Sequence, residues 1–310
     1  MRPALLGNMS PFTRFVFAML LTFSCFLAIF IAGVLLAIPI FHINLFETLT
    51  QLGDFSDPAT LALVKYLQVV QSFGLFIIPP LLAGFFFERN SLAYLKLDQP
   101  GKPLTYLLVF IMLFAALPLI NWMISFNEML KLPEFLKGVE TWMKQSEEAA
   151  ARLTGAFLNT TTPGGLLFNL FMIALLPALG EEFMFRGLLQ RLFAEWFNNM
   201  HIAILLSAFL FGAMHMQFYG VLPRICLGLL FGYLFYWTGS LWIPVFGHFI
   251  NNGSAVVTAY LSKTGVITGD WEKFGSTDNV FVIITSALAV LGLCMIIRKF
   301  QKPATGHLLL

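Results

Sequence analysis

"LPALGEEFMFRG", residues 176–187, sets two adjacent carboxylates, Glu181 and Glu182, and one guanidinium, Arg186, inside a stretch that is otherwise apolar. A charged side chain at the centre of a bilayer costs about 2.5–3.5 kcal/mol on insertion scales, so such a cluster in a membrane helix needs partners or a task. Its surroundings decide whether it lies in one. Hydrophobic residues make up 58% of the 310-residue chain and charged residues 11%, whereas soluble domains carry about 25% charged residues. The composition is that of an all-α, polytopic integral membrane protein.

A span needs about 20 apolar residues. On that criterion the segments near 14–41, 65–87, 104–126, 165–188, 201–216, 222–237, 241–260 and 279–297 predict eight transmembrane helices. The first follows Arg2 and Arg14, but its apolar run is about twice that of a signal peptide, so it is expected to remain as an anchor. Pro79, Pro80 and Pro177 fall inside spans, where neighbouring helices or water can satisfy the freed carbonyls. Cys25, Cys226 and Cys294 are far apart in apolar segments without CxxC spacing and read as packing residues. The net charge of +2 and the scattered basic residues exclude a nucleic-acid partner.

The first loop carries Glu47, Asp54 and Asp57 and no Lys or Arg, whereas the second carries Arg89, Lys96 and Lys102. The positive-inside rule puts the first loop outside. Alternation then places Arg191, Arg298, Lys299 and Lys302 inside and predicts that both termini are cytoplasmic. Within the 127–163 connection, "EFLKGVETWMKQSEEAAARL" (134–153) has apolar residues at helical spacing and a polar face, the pattern of an amphipathic helix on the outer surface.

Helix geometry divides the two glutamates. Residues four apart share a face, so Glu182 can pair with Arg186, while Glu181 is turned about 100° away with no basic residue at i+3 or i+4. A carboxylate left free in an apolar site is suited to general acid–base work. Gly180 and Gly187 beside it permit close helix approach. In the next span Ser207, Phe211 and His215 fall on one stripe, and in the seventh His248 and Asn252 share a face. Either histidine alone is compatible with packing; three successive polar interruptions, each confined to one face, point to a site. A cluster that merely snorkels to the boundary is opposed by Leu188, Leu189, Leu192 and Phe193 beyond it.

The ordered set EExxxR (Glu181, Glu182, Arg186), FxxxH (Phe211, His215) and HxxxN (His248, Asn252), with "TGSLWIPVFGH" (238–248) leading into the last, resembles the CPBP family of type II CAAX prenyl proteases and bacteriocin-processing or immunity proteins. The resemblance covers about residues 165–259. It implies an intramembrane endopeptidase acting on a membrane-associated protein or peptide, in a bacterial inner membrane, with a site open to the cytoplasmic side. It further implies that Glu181, helped by His215, activates water, that His248 and Asn252 donate to the oxyanion, and that Glu182, Arg186 and Phe211 support them. The chain then divides into membrane helices and the outer segment (1–163), a catalytic core (164–260), and a last span with its tail (261–310).

No HExxH occurs, yet one glutamate and two histidines are an acceptable zinc shell, so zinc on Glu181, His215 and His248 stays open beside a metal-free, glutamate-activated water, which is preferred. The chain ends "GHLLL", which is not a CaaX box. Two other classes remain: a catalytically silent scaffold or immunity partner, and a small transporter relaying protons through Glu181, His215 and His248.

Overall fold

The computed structural model describes residues 5–43, 53, 55–130, 132–267 and 275–301. Arg2, Glu47, Asp54, Lys302 and the "GHLLL" end lie outside the described residues. The described elements are helices: α1 Pro11–Phe41, α2 Pro58–Glu88, α3 Ser91–Tyr94, α4 Pro103–Ala115, α5 Leu117–Met129, α6 Lys137–Leu158, α7 Pro163–Phe197, α8 Met200–Met214, α9 Phe218–Thr238, α10 Trp242–Lys263 and α11 Val280–Phe300.

Five helices, α1, α2, α7, α9 and α11, are long and apolar enough to cross a membrane, and a sixth crossing arises if α4 and α5, bent by 46° at their junction, act together. Helices lie at all eight positions expected from the sequence, but two are weaker as spans. The α8 helix is short, and α10 has its apolar run interrupted by His248, Asn251, Asn252 and Ser254. Large apolar side chains face outward, Phe281 at 81% and Leu20 at 62% exposure, while Glu182 (0%) and Arg186 (1%) are buried. Lipid as the surrounding solvent explains this inversion: tails accept apolar surface and offer nothing to a charge.

Helix starts carry the expected signals. Ser10 Oγ accepts from Thr13 N–H and Pro11 opens α1; Asp57 accepts from Thr60 N–H at 2.8 Å and Pro58 opens α2. Side-chain contacts sort the ends of the bundle. At one end Arg14 pairs with Glu195 (3.0 Å), Arg191 with Glu88 (3.1 Å), Lys102 donates to Phe300 O, and Trp242 Nε1 donates to Leu97 O. Both ends of the described chain lie here, Leu6 N–H bonding Phe86 O and Gln301 bonding Thr105. At the opposite end Asn127 of α5 bonds Phe218 O and Leu222 N–H, and Tyr260 donates to Thr161 O.

Candidate active site

The α7 helix is irregular where its charges sit. Two π-helical stretches, Leu170–Leu175 and Phe183–Leu189, flank a short α segment, Leu176–Glu182, that carries both glutamates. Pro177 explains part of this. Lacking an N–H, it leaves the carbonyl four residues back, that of Ile173, without its helical donor. Asn252 supplies one instead: its Nδ2 donates to Ile173 O at 3.2 Å, while its Oδ1 accepts from Asn251 Nδ2 at 3.1 Å. The α7 helix then approaches α2 closely at Gly180, where a Cβ would stand 2.7 Å from Phe76 Cβ.

Glu182 is the organising group. Its Oε1 accepts from Arg186 Nη1 at 2.8 Å and from His248 Nδ1 at 2.8 Å, and Arg186 Nη2 reaches Gly228 O at 3.2 Å. That carbonyl is within reach because Gly228 packs on Ala208; a Cβ there would meet the Ala208 backbone at 3.0 Å. The guanidinium lies 4.6 Å from the Phe211 ring centroid and 5.6 Å from that of Phe231, so the buried cation has two aromatic faces as well as a carboxylate. Phe231 also stacks on His248 (5.7 Å, 23°), and Phe211 meets His215 edge-on at 5.0 Å. Phe211, expected as packing, thus touches the arginine and both histidines. Phe231 was not singled out from the sequence because a lone aromatic in an apolar span carries no signal. Ser207 donates to Phe185 O at 2.8 Å, tying α8 to α7.

Two carboxylate oxygens here are buried with no hydrogen-bond partner, Glu182 Oε2 and Glu181 Oε2, and the latter faces His215 Nε2 at 4.0 Å and His248 Nε2 at 3.9 Å. Both imidazoles are oriented from behind. His215 Nδ1 lies 2.8 Å from Phe211 O, and a carbonyl only accepts, so the proton is on Nδ1. His248 Nδ1 likewise donates to the Glu182 carboxylate. In the neutral form each ring therefore presents a lone pair at Nε2 towards Glu181, and either can donate there only as imidazolium.

These separations discriminate between occupants. Zinc bonds of about 2.0 Å to oxygen and about 2.1 Å to nitrogen put tetrahedral ligand atoms about 3.3 Å apart. At 3.9 and 4.0 Å, Glu181 Oε2 and the two Nε2 atoms would require O–Zn–N angles of about 145–155°, far from tetrahedral. Among the described residues no group of three His, Cys, Asp or Glu side chains is set to hold a metal. The zinc alternative does not fit this arrangement. A water about 2.8 Å from both atoms spans the gap at an angle of about 90°.

A cavity of about 420 Å³ is lined among others by Glu128, Glu147, Tyr219, Arg224 and Asn251, and Glu181, His215 and His248 are not among its lining residues. Arg224 donates to Gln217 O and to Gln217 Oε1. The cavity walls come from α5, α6, α9 and α10, at the end of the bundle opposite the one that gathers the termini. α8 runs from the terminal end and carries His215 just past its far end.

Residues 163–254 match the family model described as type II CAAX prenyl endopeptidase Rce1-like. This segment is a domain of that family. It spans α7 to the middle of α10 and holds Glu181, Glu182, Arg186, Phe211, His215, His248 and Asn252 together. The chain is also similar to the uncharacterized protein YpbD of Bacillus subtilis (strain 168), at 29% identity over 86 residues, 26% of this chain. The match spans 41% of that relative's length. No solved structure matches the chain.

Proposed function

We propose that the protein is an intramembrane endopeptidase in which Glu181 is the general base. The observation that carries this reading is the convergence on one unpartnered carboxylate oxygen of two imidazole Nε2 atoms whose Nδ1 atoms are already committed. A water held between Glu181 and His215 gives its proton to Glu181 as its oxygen attacks the scissile carbonyl; the same carboxylic acid then returns the proton to the leaving amine. His248 faces the oxyanion through Nε2. It donates there as imidazolium, with the Glu182 carboxylate behind it as counter-charge. Glu182, Arg186, Phe211 and Phe231 are positioning residues for His248. Asn252, with one amide hydrogen on Ile173 O, holds the π-helical turn that aims the glutamates, in place of the oxyanion role the resemblance implied.

The basic residues Arg14, Arg89, Lys96, Lys102, Arg191, Arg298 and Lys299 belong to the end that gathers the termini. By the positive-inside rule the termini are cytoplasmic, and the mouth beside Glu128 then faces the outer side. The deciding experiment compares peptide termini in membranes of cells producing wild type or Glu181→Gln at equal level. Termini unique to wild type are the expected result. Identical profiles, with any wild-type phenotype retained by the variant, would leave the silent scaffold as the better reading.

A further inference from the structure

The turn that follows His215 is held from three sides. His215 caps α8, and its imidazole is aimed by the bond that Nδ1 donates to Phe211 O, four residues back, so it keeps its direction only while the helix end keeps its form. The next residue, Met216, has φ 52°, a left-handed conformation that glycine or asparagine takes readily and a methionine does not. Contacts from outside the turn must hold the chain there. Gln217 O and Oε1 accept from Arg224 of α9 at 3.3 and 2.6 Å, and Phe218 O accepts from Asn127 Nδ2 of α5 at 2.8 Å. Further contacts come from α6, the amphipathic helix to which the proposed reaction gives no part. Glu147 Oε1 accepts from Gln217 Nε2 at 3.3 Å and Oε2 from Tyr219 N–H at 3.2 Å, while the Trp142 ring meets that of Phe218 at 5.1 Å.

The acidic residues of α6 differ in where they point. Glu140 pairs with Lys144 and Glu148 with Arg152 along the helix itself, whereas Glu147 spends both oxygens on the α8–α9 turn. Docking of α6 does not need those bonds, because Phe157 and Leu158 are buried at its C-terminal end and Phe157 O accepts from Asn169 Nδ2 of α7 at 2.8 Å. Gln217 and Tyr219, the two residues that Glu147 holds, stand two and four places past the histidine. We propose that Glu147 is a positioning residue for His215: through it α6 straps the α8–α9 turn and fixes the end of α8 that carries the imidazole. What His215 then does rests on the protease reading above. The Gln217 amide is the link, donating to Glu147 at one end and accepting from Arg224 at the other, so loss of the carboxylate loosens both of its bonds.

The test reads His215 directly. Full-length protein in nanodiscs is treated with diethyl pyrocarbonate, and carbethoxylation of each histidine is followed by mass spectrometry, with the buried His248 as the internal reference. In Glu147→Ala the ratio of the His215 rate to the His248 rate is expected to rise by about fivefold or more, the weight of the lost hydrogen bonds. Glu147→Gln, which keeps one acceptor oxygen, should fall between. Adding Met216→Asn to Glu147→Ala should bring the ratio back towards wild type, because asparagine takes the left-handed turn without a strap; a mere tether for α6 gives no such rescue. An unchanged ratio in Glu147→Ala, including a rise at both histidines alike from general loosening, overturns the proposal, and so does a rise that Met216→Asn does not reverse. Activity is read separately, as the yield of wild-type-specific peptide termini in cells at equal protein level, and should fall by about tenfold or more in Glu147→Ala. An undiminished yield alongside a raised ratio also overturns it. If wild type gives no specific termini while the ratio behaves as expected, the protease reading fails and the strap stands. If the termini are present and the ratio does not move, the protease reading stands and the strap fails.

Discussion

His248 lies between the two adjacent glutamates of α7, with Nδ1 2.8 Å from Glu182 Oε1 and Nε2 3.9 Å from Glu181 Oε2. One ring thus links a fully buried ion pair on its inner side to the unpartnered carboxylate on its outer side. The division of labour between Glu181 and Glu182 follows from it and can be tested residue by residue.

Glu181→Gln keeps the shape of the side chain and removes the base. General acid–base groups contribute about 10²–10⁴-fold, so cleavage should fall by at least that lower figure while the melting temperature of the detergent-solubilised protein stays within error. A variant that still cleaves at a wild-type rate would remove Glu181 from the chemistry.

Glu182→Ala should behave differently. Arg186 and His248 both lose their shared acceptor, and a buried charge stripped of its partner costs about 3–5 kcal/mol. The expected result is a large loss of thermal stability along with activity. A folded variant of unchanged stability would show that Phe211, Phe231 and Gly228 O suffice for the guanidinium.

Asn252 and Pro177 form a pair linked through the Ile173 carbonyl. Asn252→Ala should leave that part-buried acceptor unpaired and cost about 1 kcal/mol. Restoring the missing backbone donor with Pro177→Ala in the same chain should recover much of the loss, seen as a favourable coupling in a double-mutant cycle. If Asn252→Ala instead abolishes turnover without a stability change, and Pro177→Ala gives no rescue, Asn252 acts on the oxyanion.

Metal removal is a further test of the site. The wide separation of Glu181 Oε2 from both Nε2 atoms predicts that prolonged dialysis against a strong zinc chelator leaves cleavage unchanged. Loss of activity reversed by stoichiometric zinc would mean that the three side chains close on an ion in the working enzyme.

Orientation can be read with a single engineered thiol. In a background lacking Cys25, Cys226 and Cys294, Glu128→Cys should react with a membrane-impermeant maleimide on intact cells, and a cysteine at Lys102 should react only after permeabilisation. The opposite pattern would reverse the assignment of the cavity mouth.

Much of this molecule was legible in one dimension. Apolar runs of span length dictate helices because a bilayer leaves the backbone no other way to satisfy its polar groups. The spacing of Glu182 and Arg186 also dictates their shared face, since both lie on one helix. Two things were decided only by the tertiary structure. One is which atom of each group faces which neighbour: His248 reaches Glu182 across 66 positions of chain, and Asn252 turns to Ile173 because Pro177 leaves a carbonyl open on a different helix. The other is the direction of the cavity, set by where the α8–α9 turn meets α5 and α6 and brings Arg224 beside Glu147. Local spacing determines the face of a helix; the register and depth at which helices pack, which determine a site, come from contacts between residues far apart in the chain.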